Sequence, residues 1–181
     1  MRSQEETPEE WFEQGDDLEV LSFSEVRLWD GKVIKKRLNV DLFDAKKIKE
    51  EYVHHKRAYE CTPVATRPYP PYASGEYVYL AQNVAPGRTW ETGDSLARLA
   101  TAIASVHRCG LVHNDLSKEN VFVTEGGSVT IIDWGEAYVP SDTPSFEQES
   151  RLIEGGDPIL TGREDTTEFH DHYMRAAVEG E

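Results

Sequence analysis

Residues 111–135 read LVHNDLSKENVFVTEGGSVTIIDWG. An apolar pair leads into His113, Asp115 and Asn120. Two short apolar runs follow, separated by Gly126-Gly127, and the second, Val129 to Ile132, ends at Asp133. The pattern predicts a polar loop followed by a two-stranded hairpin. The hairpin would return Asp133 to the side of the loop that carries Asp115 and Asn120.

Phosphoryl transfer suits such a set of side chains. It needs little covalent help from a protein, only metal ions to hold phosphate charge and a group to orient the attacking hydroxyl. Asn120 and Asp133 offer hard oxygen ligands of the kind Mg²⁺ takes. Asp115, five residues before Asn120, is positioned to face an incoming hydroxyl as base or orienting group.

These residues resemble the catalytic and metal-binding loops of the protein-kinase-like superfamily. His113-Asn114-Asp115 stands where kinases have His-Arg-Asp, and Asp133-Trp134-Gly135 where they have Asp-Phe-Gly. The resemblance implies Asp115 as the catalytic aspartate, Asn120 and Asp133 as metal ligands, and ATP and Mg²⁺ as the cofactors. Asp115-Leu116-Ser117 is similar to the Asp-Leu-Ser of RIO kinases, where many eukaryotic protein kinases have lysine at the serine position; it implies a cofactor-binding role for Ser117. Asn114 replaces the arginine that receives activation-loop phosphates, and the chain has no Ala-Pro-Glu anchor. Both departures argue against an activation-loop switch.

The 181 residues suffice for one sizeable domain or two small lobes sharing a cleft. No run of eighteen or so apolar residues is present, so no membrane partner is expected. The net charge of −15 argues against unspecific nucleic-acid binding. Lys46, Lys47, Lys49, Lys56 and Arg57 form a local basic cluster, read as a solvated helix face. Two cysteines, Cys61 and Cys109, lack metal-site spacing; a reducing, cytoplasmic setting without a disulfide is the simplest expectation.

Upstream of the loop, residues 1–17 are acidic, either a short docking helix or a frayed tail. Leu18 to Leu28 predicts two strands with a turn at Ser22–Ser24, and Asp30-Gly31 a hairpin turn into a third strand, Lys32 to Leu38. Kinases carry glycines in the first of these turns, so that backbone amides can approach phosphates; this chain has none there. Alternation puts Val33 and Lys35 on one face and Ile34 in the small lobe's core. By resemblance Val33 covers the nucleotide base and Lys35 reaches the phosphates. Lys35 is preferred over Lys36, which would leave a lysine where an apolar residue belongs.

Asp44 to Glu60 predicts a charged helix whose Glu51, or Glu50 one step round, pairs with Lys35 as the helix C glutamate does in kinases. His54 and His55 are neighbours and point to different faces. Pro63 to Ser74 reads as loop or irregular strand, and Tyr77 to Val84 as a buried strand. By resemblance the strand's end is the hinge, where the Gln82 carbonyl and the Val84 amide would meet adenine. Asp94 to Cys109 is the clearest helix, with a stripe of Leu96, Leu99, Ile103 and Val106, a cap at Asp94 or Ser95, and His107 near its C-terminus as a cap. After Gly135 the chain offers a helix-like segment from Phe146 to Ile153, a loop at Gly155 to Pro158, and a helix from Glu164 to Ala177 carrying solvent-facing His170 and His172.

The expected fold is α+β: a minimal bilobal protein-kinase-like fold. A small lobe at 18–84, an antiparallel sheet plus one helix, joins a reduced, mainly helical large lobe at 85–181. The resemblance is nearest to RIO kinases and also to Bud-type atypical serine/threonine kinases, which implies a protein or ribonucleoprotein partner. The expected activity is ATP- and Mg²⁺-dependent phosphotransfer to a serine or threonine hydroxyl, or to the chain itself. The alternatives are a pseudokinase serving as nucleotide sensor or scaffold, and a small-molecule hydroxyl kinase.

Overall fold

The computed structural model describes residues 6–21, 24–39, 42–91, 93–141, 145–147 and 149–150. Ser22 and Phe23 at the first turn, the loop expected at Gly155 to Pro158, and the helix expected over Glu164 to Ala177 with His170 and His172 lie outside these residues.

β3, Lys32–Leu38, is the middle strand of a five-stranded antiparallel sheet. The sheet also holds β1 (Asp16–Leu21), β2 (Ser24–Trp29), β4 (Pro68–Ser74) and β5 (Tyr77–Asn83), in the order β1-β2-β3-β5-β4. Asp30 and Gly31 take positive φ in the β2–β3 turn, the conformation an Asp-Gly pair favours. In the Pro- and Tyr-rich stretch, β4 is a strand with a register shift between Tyr69 and Tyr72. Pro70 and Pro71 lack the amide a regular ladder needs.

Alternation along β3 sorts its side chains between two environments. Ile34 is fully buried in a cluster with Phe12, Tyr79 and Ala81. Phe12 comes from α1, Pro8–Gln14, so these residues of the acidic N-terminal stretch form a helix packed on the sheet. Thr7 and Glu10 close its first turn as a reciprocal capping box. Arg27 fastens its far end, lying 4.3 Å over the Phe12 ring and donating to the Phe12 carbonyl at 3.0 Å.

α2, Leu42–Cys61, packs beside β4. Its basic cluster is largely paired: Lys46 with Glu50 and Lys56 with Glu60 along the helix, and Lys47 with Glu136. Beyond β5, Gly87 approaches β7 (Val121–Val123) so closely that a Cβ there would lie 2.3 Å from the Val123 carbonyl oxygen. β6 (Arg88–Thr89), β7 and β8 (Val129–Ile131) form a second, three-stranded sheet that contains the expected hairpin.

α3, Leu96–Arg108, is capped by Ser95. It buries Leu99, Ala102, Ile103 and Val106 against a core shared with Leu111, Leu116, Val121, Ile131 and Trp134. Leu96, expected in that stripe, lies in the first turn and is exposed. The C-terminus of α3 corrects two expectations. Cys109 is its cap residue and is disulfide-bonded to Cys61 at the end of α2. Both helices end side by side: Arg57 donates to the Cys109 carbonyl at 2.7 Å, and the Thr62 and Ser105 hydroxyls meet at 2.6 Å. This proximity, across 48 residues, was invisible in the spacing of the two cysteines. His107 does not cap the helix; its Nε2 lies 2.6 Å from Glu149 Oε2.

Candidate active site

Two segments, the polar loop and the end of β8, are tied together before any side chain reaches the cleft. The Ile132 amide donates to the Asn120 carbonyl at 2.9 Å. His113 is fully buried, with Nε2 3.0 Å from the Ile132 carbonyl and Nδ1 3.3 Å from the Asp115 amide. That pattern assigns the proton to Nε2, with Nδ1 as acceptor. One imidazole thus spans the residue before Asp133 and the amide of Asp115. Its ring meets the buried Trp134 edge-on at 4.8 Å.

The backbone is unusual at Asn114, just before Asp115, and at Asp133. Asn114 has φ 63° and Asp133 has φ 59°, in the left-handed region that asparagine and aspartate tolerate better than other non-glycine residues. Packing and hydrogen bonds must hold such residues in place. The Asn114 amide donates to Glu149 Oε1 at 2.8 Å, and the His113 amide to Glu149 Oε2 at 3.2 Å. Glu149 is almost fully buried and also faces His107. It anchors the entry to the loop from a helical segment 34 residues past Asp115.

Asn120 is buried, and its Nδ2 donates to both the backbone carbonyl and the Oδ2 of Asp115, at 2.9 and 3.0 Å. The Asp115 carboxylate is therefore oriented by Asn120. Ser117 is buried, and its Oγ has no hydrogen-bond partner among the described residues.

Lys35 enters from β3. Its Nζ lies 3.4 Å from Glu51 Oε1 and 3.7 Å from Asp133 Oδ1. Burial by itself would lower the Lys35 pKa. The Glu51 and Asp133 carboxylates outweigh it against an opposing push from Arg37, and the ammonium is held above the ordinary lysine value. Lys36, on the other face, lies over the rings of Phe12 and Tyr77. Glu50 pairs with Lys46 at the surface. The strand alternation and the helix phase thus select Lys35 and Glu51 from the two neighbouring pairs. Lys35, Glu51 and Asp133 form one group and Asp115 and Asn120 another, and the Ile132–Asn120 and His113 hydrogen bonds join the segments that carry them.

The hinge end differs from expectation. The Val84 amide donates to the Gly31 carbonyl at 2.9 Å, which extends the β3–β5 ladder past Asn83. It is engaged within the sheet and not presented to a base. Gln82 lies inside the ladder opposite Val33 and Pro68.

Could the acidic end hold Mg²⁺? Among the described residues no cluster of three or more His, Cys, Asp or Glu side chains could hold a metal by itself. An Asn–Asp oxygen pair fits the ion nonetheless. Mg²⁺ is bound by one or two protein oxygens and completes its shell with water and substrate phosphates. Asn120 and Asp133 are the residues that would hold it.

Two residues that pattern reading passed over complete the site. Arg37 Nη1 lies 3.1 Å from Glu51 Oε2, and its signal was its position two residues beyond Lys35 on the same strand face. Glu149 carried no local signal, because its partners are distant in sequence.

The RIO domain profile matches residues 78–150, which run from β5 through Glu149. Among curated proteins, the chain is 33% identical over 71 residues to the serine/threonine-protein kinase PknD of Protochlamydia amoebophila, covering 39% of this chain and 7% of that protein. It is 31% identical over 52 residues to the probable serine/threonine-protein kinase FMP48 of Saccharomyces cerevisiae, covering 29% of this chain and 14% of that one. The chain therefore spans a small part of these relatives' length. Among solved structures, WbdD bound to the kinase inhibitor LY294002 superposes with TM-score 0.57 at 15% identity, over 77% of this chain and 38% of that one. WbdD is described as a bifunctional kinase-methyltransferase. The structural neighbour shows that the chain has a kinase-like fold, and residues 78–150, which include the loop and the hairpin, are similar to the RIO domain.

Proposed function

We propose that the chain is an ATP- and Mg²⁺-dependent phosphotransferase that transfers the γ-phosphate to a serine or threonine hydroxyl of a protein or ribonucleoprotein partner, or of itself. The observation that carries the reading is the position of the Lys35 ammonium between Glu51 and Asp133, 3.4 and 3.7 Å away. Asp133 lies next in sequence to Ile132, the residue that Asn120 and His113 hold. A cation for phosphates, ligands for a metal and a carboxylate for a hydroxyl then stand in one cleft, as phosphoryl transfer requires.

In this reading Lys35 meets the phosphates, held in position by Glu51. Asn120 and Asp133 would hold Mg²⁺, which would supply charge neutralisation on the transferring phosphate. Asp115, its carboxylate set by Asn120, accepts a hydrogen bond from the attacking hydroxyl and takes its proton as the new P–O bond forms and the bond from the γ-phosphorus to the β–γ bridging oxygen breaks, releasing ADP. His113 fixes the spacing between the two acidic segments without touching substrate. The buried Ser117 hydroxyl is a further donor at the same loop. Among the described residues no helix is long and apolar enough to cross a membrane, and the Cys61–Cys109 disulfide does not fit the reducing cytoplasm expected from the sequence.

A nucleotide sensor with little turnover is the second reading. It is favoured by the engaged Val84 amide and by the turn without glycine. Incubation with γ-labelled ATP and Mg²⁺, beside an Asp115→Ala variant, separates the two. Label on protein or released phosphate in the wild type and not in the variant supports the enzyme. Binding with equally negligible turnover in both supports the sensor.

A further inference from the structure

β3 presents three side chains to the cleft face in succession, Val33, Lys35 and Arg37. The ladders give that succession a direction. At one end Lys32 lies opposite Asn83, beside the Gly31–Val84 hydrogen bond. At the other, Arg37 lies opposite Ser24, the residue that leaves the β1–β2 turn. Each step of two residues advances about 6.6 Å along the strand. In the reading proposed above, on which this inference rests, a nucleotide runs the same way, from base at Val33 to phosphates at Lys35 and beyond.

The β1–β2 turn reads Ser22-Phe23-Ser24. The turn has no glycine, the residue that lets backbone amides approach phosphates closely. Arg37 stands beside that turn. One Glu51 carboxylate holds both cations, Lys35 on Oε1 and Arg37 on Oε2. Arg37 is thus pre-oriented toward the cleft, yet its side chain retains 23% exposure, close to the 27% of Lys35. A guanidinium presents donors in a planar fork that matches phosphate oxygens.

We propose that Arg37 is a second phosphate-binding residue, gripping the terminal phosphates of a nucleoside triphosphate beside a turn that has no glycine.

The test is calorimetric binding of ATP, ADP, AMP and adenosine to the full chain and to Arg37→Gln, Arg37→Lys and Lys36→Gln. A charge-assisted hydrogen-bond pair lost in Arg37→Gln weakens ATP by about 10- to 100-fold. ADP weakens less, and AMP and adenosine hold within about threefold. Arg37→Lys retains part of the ATP affinity, and Lys36→Gln, on the opposite face, retains all of it. An Arg37 that only braces Glu51 would weaken every phosphorylated ligand in the same proportion. An unchanged ATP-to-AMP ratio in Arg37→Gln, or in Arg37→Lys should the first variant not fold, overturns the inference and leaves the kinase reading standing. A wild-type chain that binds no ATP overturns both.

Discussion

The two ends of the cleft are built by different means. At the acidic end, His113, Asn120, Trp134 and Glu149 are all buried, and backbone hydrogen bonds hold the loop to the hairpin. At the phosphate end, Lys35, Arg37 and Glu51 sit partly in solvent and are held by ion pairs of 3.1 to 3.7 Å. Orienting a hydroxyl and a metal demands placement within tenths of an ångström, which buried, mutually bonded groups supply. Holding a flexible polyphosphate demands charge, which partly exposed, ion-paired side chains can supply.

If that contrast is right, damage to the acidic end costs turnover before it costs nucleotide binding. Asp115→Ala should lower phosphoryl transfer by about 10³-fold, within the range for a positioned proton acceptor. ATP affinity should stay within about threefold. A parallel loss of both, measured by label transfer and calorimetry, would erase the distinction between the ends.

Glu149→Ala tests whether burial holds the acidic end in place. It strips the acceptor from His107 and from the amides of His113 and Asn114. Orphaned buried donors of this kind predict a loss of about 3 to 5 kcal/mol in urea unfolding, with Glu149→Gln recovering part of it. A loss below about 1 kcal/mol would mean that the loop holds itself.

Between the ends runs a seam, the contact of α2 with the loop and hairpin. The Cys61–Cys109 bond closes it at the far end of both helices. A crosslink across 48 residues corresponds to roughly 4 kcal/mol of chain entropy, of which about 2 to 4 is commonly realised. Cys61→Ser should therefore lower stability by about that much, and thiol titration of the unfolded, unreduced wild type should find no free thiol.

His55 lies within the same seam, stacked on Trp134 at 6.0 Å with Nε2 2.8 Å from the Thr66 carbonyl. Burial, the largest cause, pushes its pKa down to about 4, against an ordinary value near 6.5. Between those values the unfolded chain holds the extra proton. The contribution is thus fully present above pH 6.5 and is lost as pH falls toward 4, to a total of about 3 kcal/mol. His55→Gln should flatten stability against pH over that window. An unaltered slope would show that other groups carry the acid sensitivity.

Much of the site was legible because its determinants are local. The order of His113, Asp115, Asn120 and Asp133 around a Gly-Gly turn specifies a loop and hairpin by short-range backbone preferences alone. Strand alternation separated Lys35 from Lys36 with no knowledge of the partner strands. Helix periodicity likewise drew the buried stripe of α3, failing only at Leu96, where the first turn has no neighbour above it.

Other features depend on which segments meet. Glu149 reaches the loop at Asn114 across 35 residues, and Cys61 finds Cys109 across 48, by packing that no spacing rule encodes. Val84 reads as a free hinge amide until the ladder with β3 extends one residue further and its N–H joins the Gly31 carbonyl. His107 looks like a helix cap until a buried carboxylate arrives from beyond the hairpin. Sequence determined the elements and the chemistry each one carries, since both follow from neighbours along the chain. Tertiary structure decided which donors and charges were already engaged, because hydrogen bonds and ion pairs are allotted only when distant segments compete for them.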